Sequence, residues 1–325
     1  MHINPSVAEA TILSLRQSPQ AYQTCQFILE NSQDANARFQ AAAAIRDVAI
    51  KEWGFLSAND KIRLIRHSLI FCLCYVMQHS RSTDGYVQAK VSAVGAQFLK
   101  RGWLDFTVTE KEAFLSEVKQ AVVGVHGVHA QFIGINFLDS IVSEFSPSTS
   151  SPMGLPREFH EKCRTSLELN YLKIFHCWAQ EAALSVTNIV LECDTSASEV
   201  KVCSAALHLM FNILNWDFRC KRNTVKSAKN RIDVFSSGVG RETQLLNKSD
   251  CVLPGPTWRD SLISSGHISW LLGLYGILRQ KFLGDGYWLD SPLAVSARKL
   301  IIQLCSLTGT IFPSGNIPYA LSFCH

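Results

Sequence analysis

Apolar residues recur at steps of three and four along most of the chain. In residues 61–78, Ile62, Ile65, Leu69 and Val76 fall at steps of 3, 4 and 7, which puts them on one face of a helix. Residues 109–125 repeat the pattern with Phe114, Val118, Ala121, Val122 and Val125. Ser57 and Thr109 are the expected N-caps, and Glu112, three residues after Thr109, completes a capping-box pattern. Further helices are expected over 258–282 and 291–307, the second opened by Ser291 with Pro292 at its first position. No alternating runs joined by a hairpin turn occur. The nearest case, 122–128, holds Gly124 and Gly127, which read as a helix end and turn.

The helices echo one another. Gln40, Gln88 and Gln131 each open a similar run, at intervals of 48 and 43 residues. Two helices with short turns fill such a period, which is that of HEAT or armadillo repeats. Small residues needed for close helix packing recur in step, at Ala41 to Ala44 and at Ala89, Ala93 and Ala96. The expected fold is an all-α, HEAT/armadillo-like α-solenoid of about six to seven antiparallel helix pairs. An irregular helical domain is the alternative. Two stretches interrupt the array: the Ser/Pro-rich connector 146–157 and the basic loop 219–257. The expected organisation is thus repeats over 1–145, further repeats over 158–218, and a last helical segment over 258–325.

Composition narrows the class. Of 325 residues, 47 % are hydrophobic and 18 % charged, so global disorder is excluded. The net charge of +4 is too mild to argue for nucleic acid. Eleven scattered cysteines, an odd count without framework spacing, fit a reducing compartment. The polar stretch 1–17 lacks a basic start followed by an apolar run, so no secretory signal is expected. The longest apolar run, 268–278, falls short of the roughly 18 residues of a membrane span, so no membrane insertion is expected.

Enzyme signatures are absent: no phosphate loop, nucleophile elbow, HExxH or dinucleotide fingerprint occurs. His126 with His129, His160 with Cys163, and His176 with Cys177 are close in sequence, but no CxxC pair accompanies them. No metal or cofactor is expected. Trp53, Trp103 and Trp216 recur near helix ends, where they are expected to plug seams between repeats. Arg219, Lys221, Arg222, Lys226, Lys229 and Arg231 form a basic run without an acidic residue. It reads as a solvated loop, or as a contact for an acidic partner, an import receptor or nucleic acid.

Several segments together resemble a known family. They are 25–30 (CQFILE), 39–42 (FQAA), 100–105 (KRGWLD), 143–146 (SEFS) with 158–160 (EFH), 216–218 (WDF), 258–260 (WRD) and 309–313 (GTIFP). In this order and spacing the chain resembles the N-terminal portion of the exportin-4 family, nuclear export receptors of the importin-β/karyopherin superfamily. The resemblance implies a HEAT-repeat superhelix that binds Ran-GTP and protein cargo in the nucleus and releases them in the cytoplasm after GTP hydrolysis. GTP is then carried by Ran, and the receptor catalyses nothing. The implied cargoes are the hypusine-bearing translation factor and Smad-type regulators. Nuclear pore proteins are further implied partners, and nucleic acid is not expected. Shuttling between nucleus and cytoplasm through the pore follows.

The chain is expected to be part of a longer receptor. In this superfamily the second helix of each early repeat lines the concave face that meets Ran. Taking 61–78 and 109–125 as such helices, the candidate Ran contacts opposite their apolar faces are Arg63, His67 and Gln78, and Glu112, Ser116, Lys119 and Gln120. A non-transport helical-repeat scaffold or adaptor subunit is the competing function.

Overall fold

Side chains at the helix starts set the frame. In the computed structural model, Ser57 accepts from the Asp60 amide and opens one helix, and Ser291 accepts from the Ala294 amide, followed by Pro292, and opens another. The third start differs from expectation. Thr107, not Thr109, is the N-cap: its hydroxyl takes the Glu110 amide while Glu110 Oε2 takes the Thr107 amide at 2.9 Å. Two overlapping Thr-x-x-Glu patterns lie here, and the helix uses the earlier one because Thr107 is the residue in extended backbone (φ −64°, ψ 162°). Gly124 and Gly127 have φ of 87° and 89° and form the turn after residue 122, as their sequence suggested. Val125 therefore lies beyond the helix and is 64 % exposed, outside the apolar face assigned to it.

The structure describes residues 10, 13–14, 21–52, 56–146, 155–192, 197–218, 254, 256–264, 266–284 and 286–307. Among them no strand occurs. Eleven α-helices do: α1 (Ala21–Asn31), α2 (Ala35–Glu52), α3 (Ala58–Gln78), α4 (Gly85–Gly102), α5 (Val108–Val122), α6 (Val128–Phe145), α7 (Arg157–Asn170), α8 (Leu172–Glu192), α9 (Ser198–Leu214), α10 (His267–Lys281) and α11 (Pro292–Cys305). They form two compact units, Met1–Leu209 and Met210–His325.

In the first unit, α1 packs on α2, α3 on α4 and α5 on α6, while α2, α4 and α6 stack on one another. This is an α-solenoid: each pair buries its shared face and then the face of its neighbour. The cross-links carry the repeat period. Tyr22 bonds Ser68 at 2.8 Å, Arg38 pairs with Asp84 at 2.5 Å, Arg66 pairs with Glu110 and Lys100 with Glu144. The separations are 46, 46, 44 and 44 residues, so each group meets a group about one repeat further on.

The recurring glutamines have a structural role. Gln88, in the first turn of α4, donates to the His79 carbonyl, and Gln131, in the first turn of α6, donates to the Val122 carbonyl at 3.0 Å. Each reaches back nine residues to the end of the preceding helix and satisfies a carbonyl that helix leaves open. Trp103 is fully buried at the end of α4, edge-on to Phe145 at 5.0 Å and to Tyr171 at 5.4 Å, and so plugs the seam towards α7 and α8. Trp53 and most of the interruptions, 147–154 and 219–253, lie outside the described residues.

In the second unit α10 packs on α11, and Trp288 is buried against Tyr275 and Phe282. Residues Asp260–Lys281 are apolar and long enough, by length and composition, to cross a membrane. The stretch is not one α-helix, since Gly266 at φ 70° starts α10 afresh. The 15 residues of α10 span about 22 Å, short of a hydrocarbon core of about 30 Å.

Candidate functional site

The first unit presents two layers, and their order decides which residues face a partner. Because α3 pairs with α4 and α5 with α6, the helices α3 and α5 are the first of their pairs. The sequence reading took them as second helices, and this is corrected. The second helices are α2, α4 and α6. The signal was present in the sequence: Gln88 and Gln131 mark the starts of α4 and α6, because a side chain there can reach the end of the preceding helix.

Arg63, His67 and Gln78 are exposed on α3, and Glu112, Ser116 and Lys119 on α5, with Gln120 half-buried. Helical geometry thus placed these side chains outward, but on the first-helix layer. Arg63 is held by Asp60 of its own helix at 2.7 Å. His67 lies 6.2 Å from the Tyr22 ring, and Lys119 Nζ is 5.9 Å from the Trp178 ring of α8. The basic run Arg219, Lys221, Arg222, Lys226, Lys229 and Arg231 lies outside the described residues.

On the second-helix layer, packing leaves a stripe on α4 and another on α6. In α4, Tyr86, Lys90, Ala93, Gln97 and Arg101 are at least partly exposed, at steps of 4, 3, 4 and 4, while most of the helix is buried. In α6 the stripe runs through Phe132, Asn136, Ser140 and Ser143. Lys90 Nζ stands 5.5 Å from the centre of the Phe39 ring of α2. Burial pulls the Arg101 pKa down, with the Asp105 carboxylate opposing it. At the edge of the α6 stripe, Asp139 faces His208 of α9 at 4.0 Å. The charged side chains on the two stripes are Lys90 and Arg101, with Asp139 at the edge.

Between α3 and α5 runs an apolar groove of about 760 Å³, floored by Leu69, Leu73, Leu99 and Phe106 and lined by Ile70, Cys74, Met77 and Phe114. Ion pair Arg66–Glu110 crosses its mouth, and Glu110 serves both this pair and the cap of α5.

The chemistry elsewhere is structural. Lys100 is 1 % exposed, and its ammonium donates to the backbone oxygen and carboxylate of Glu144 at the end of α6. Burial lowers its pKa while Glu144 raises it. The Cys72, Cys163 and Cys203 thiols are pushed up to about 12 by burial, so they stay protonated and are poor nucleophiles. Among the described residues no three His, Cys, Asp or Glu side chains gather as a metal site requires.

Comparison with known proteins accords with this architecture. A family model described as Exportin-4 matches residues 4–247. Exportin-4 of Dictyostelium discoideum is 24 % identical over 328 residues, covering 95 % of this chain and 27 % of that protein. Exportin-7-B of Xenopus laevis is 22 % identical over 313 residues, covering 94 % of this chain and 24 % of that protein. The chain spans about a quarter of the length of the curated relatives it matches. With three quarters of its residues under one family model and the paired-helix array that family calls for, the chain belongs to the exportin-4 family.

Proposed function

We propose that the chain acts as the N-terminal arm of a nuclear export receptor that binds Ran in its GTP form together with protein cargo. The observation that carries the reading is the family match over residues 4–247 on an array whose second helices α4 and α6 each leave a partly exposed stripe. GTP enters with Ran, so the chain needs no nucleotide of its own and catalyses no reaction. Cargo of the exportin-4 kind, the hypusine-bearing translation factor and Smad-type regulators, and contacts with pore proteins belong to the whole receptor. Shuttling between nucleus and cytoplasm follows from that role. Ran and cargo assist each other by favouring one curvature of the array, a reciprocal coupling between two sites on one deformable body.

The Ran contact is proposed on the second helices, at Lys90, Gln97 and Arg101 of α4 and Asn136 and Ser140 of α6. Arg63, His67, Gln78, Glu112, Ser116, Lys119 and Gln120 belong to the opposite layer and serve as its control. Pull-down with Ran locked in the GTP or GDP form tests the function. Retention of the GTP form alone supports it, and equal or absent retention favours the scaffold reading. The double variant Lys90→Glu/Arg101→Glu is expected to weaken Ran-GTP binding by about 1–3 kcal/mol. Arg63→Glu/Lys119→Glu is expected to leave it unchanged, and the reverse result would move the contact to the first helices.

A further inference from the structure

We infer that Phe39 of α2 is a positioning residue for the contact surface of α4: its ring holds the Lys90 ammonium on the half-exposed stripe, where it meets a carboxylate of the partner. The contact with the partner rests on the receptor reading. The holding of Lys90 does not.

Lys90 and Arg101 are the two cations of the α4 stripe. Arg101 feels the Asp105 carboxylate in the turn just beyond its own helix. Lys90 Nζ stands 5.5 Å from the centre of the Phe39 ring, which belongs to the neighbouring second helix. That is inside the range of about 6 Å at which a ring face attracts a cation. The two kinds of hold differ in what they leave to a partner. A carboxylate neutralises the charge it holds, whereas a ring has no net charge and leaves the ammonium positive.

The ring is itself fixed. Tyr86, in the first turn of α4, stands against Phe39 with ring centres 5.8 Å apart and planes tilted by 45°. The Tyr86 hydroxyl donates to Asn36 Oδ1 at 3.3 Å, so α2 and α4 are linked by a ring contact and a hydrogen bond at the same place. Beside them, Arg38 donates to Asp84 Oδ2 at 2.5 Å and pins the first turn of α2 to the turn before α4. A lysine fixed by a partner loses rotamer freedom, which is one of the costs of association. A lysine already laid on a fixed ring loses less of it. Phe39 therefore raises affinity without touching the partner.

The experiment uses the full chain. Its lysines are dimethylated with carbon-13 formaldehyde, which keeps their charge, and the Lys90 resonance is identified by its loss in Lys90→Arg. The Phe39 ring current should move that resonance upfield of an exposed lysine such as Lys201. Phe39→Leu should abolish the displacement, and Phe39→Tyr should keep it. A Lys90 resonance at the exposed position in the parent chain would overturn the holding. Ran-GTP is then titrated. Phe39→Leu is expected to weaken binding about two- to fivefold, and Phe39→Tyr to retain the parent affinity. In a Lys90→Gln background, Phe39→Leu should change the affinity no further. Equal losses in both backgrounds would show that the ring acts by packing and not through Lys90, and unchanged affinity in Phe39→Leu alone would also overturn the positioning role. A parent chain that does not bind Ran-GTP defeats the receptor reading and the contact that rests on it, while the resonance still decides whether the ring holds Lys90.

Discussion

Gly134 lies where α6 crosses α5. A Cβ there would sit 2.7 Å from Ala121 Cβ, 2.9 Å from the Val122 backbone nitrogen and 3.1 Å from the Ala121 carbonyl carbon. Carbon atoms in good contact stand about 3.5–4 Å apart, so Gly134→Ala must drive the two helices apart by most of an ångström. Two of those atoms are backbone, which cannot rotate away. Separation would also loosen Leu115, Val118, Ala121 and Val122, all at most 3 % exposed, and lengthen the Gln131–Val122 bond. Against this, alanine in place of a mid-helix glycine contributes about 1 kcal/mol. Overpacking of a core costs about 1–3 kcal/mol, and rigid neighbours put this site at the upper end. The net expectation is a loss of about 1–2 kcal/mol, or a drop of roughly 2–8 °C in the melting temperature of a unit this size. Adding Ala121→Gly removes the nearest clash and should restore part of it. Gly273→Ala and Gly276→Ala in α10, where no atom lies within 4 Å, should be neutral or stabilising. Thermal melting of these variants decides the matter. A Gly134→Ala chain that melts at or above the parent temperature would refute the close approach of α5 and α6.

Three further outcomes follow from local chemistry. Thr107→Ala should cost about 1 kcal/mol in denaturant titration, whereas Thr109→Ala should change stability by less than about 0.5 kcal/mol, because the cap sits at the earlier threonine. Burial holds the His267 imidazole down to about 4, so the folded chain keeps it neutral while the unfolded chain takes up a proton near pH 6.5. Its contribution is present above about pH 6.5 and is lost as pH falls towards 4, so melting temperatures across that window should fall less steeply in His267→Gln. Lys100→Met should cost about 3–5 kcal/mol by leaving Glu144 without its buried cation, and Lys100→Met/Glu144→Leu should recover most of it, as read by urea unfolding.

The helices were legible because their signals are local. Ser57 and Ser291 cap where their sequences place them, and the glycines at 124 and 127 take the left-handed backbone that ends one helix and starts the next. The repeat was legible because the same geometric need recurs: Gln88 and Gln131 each tie a second helix back to the end of the first. Periodicity also anticipated the exposure of Arg63, His67, Gln78, Glu112, Ser116 and Lys119 on α3 and α5, but not the half-burial of Gln120. It could not say whether those helices are first or second in their pairs, since an amphipathic stripe looks alike in both. That phase comes from which turn is stapled and which helices stack, and stacking is a long-range property. The Thr107 start was missed for a related reason: two capping patterns overlap two residues apart, and only the backbone chooses between them.

In the segment that most specifically carries the family resemblance, residues 100–105, Lys100, Gly102 and Trp103 hold one repeat on the next, and Arg101 is half-exposed between them. Lys100 is buried against the end of α6, Gly102 lets Phe106 approach where a Cβ would meet its ring at 2.7 Å, and Trp103 fills the seam towards α7 and α8. Each is fixed by the need to hold one repeat on the next. What packing leaves over is a half-exposed strip: Lys90, Gln97 and Arg101 in α4 are covered only in part by their neighbours. These positions become visible only after the joints have fixed the order of the helices, which is why the family could be read from the sequence while the half-exposed strip on α4 could not.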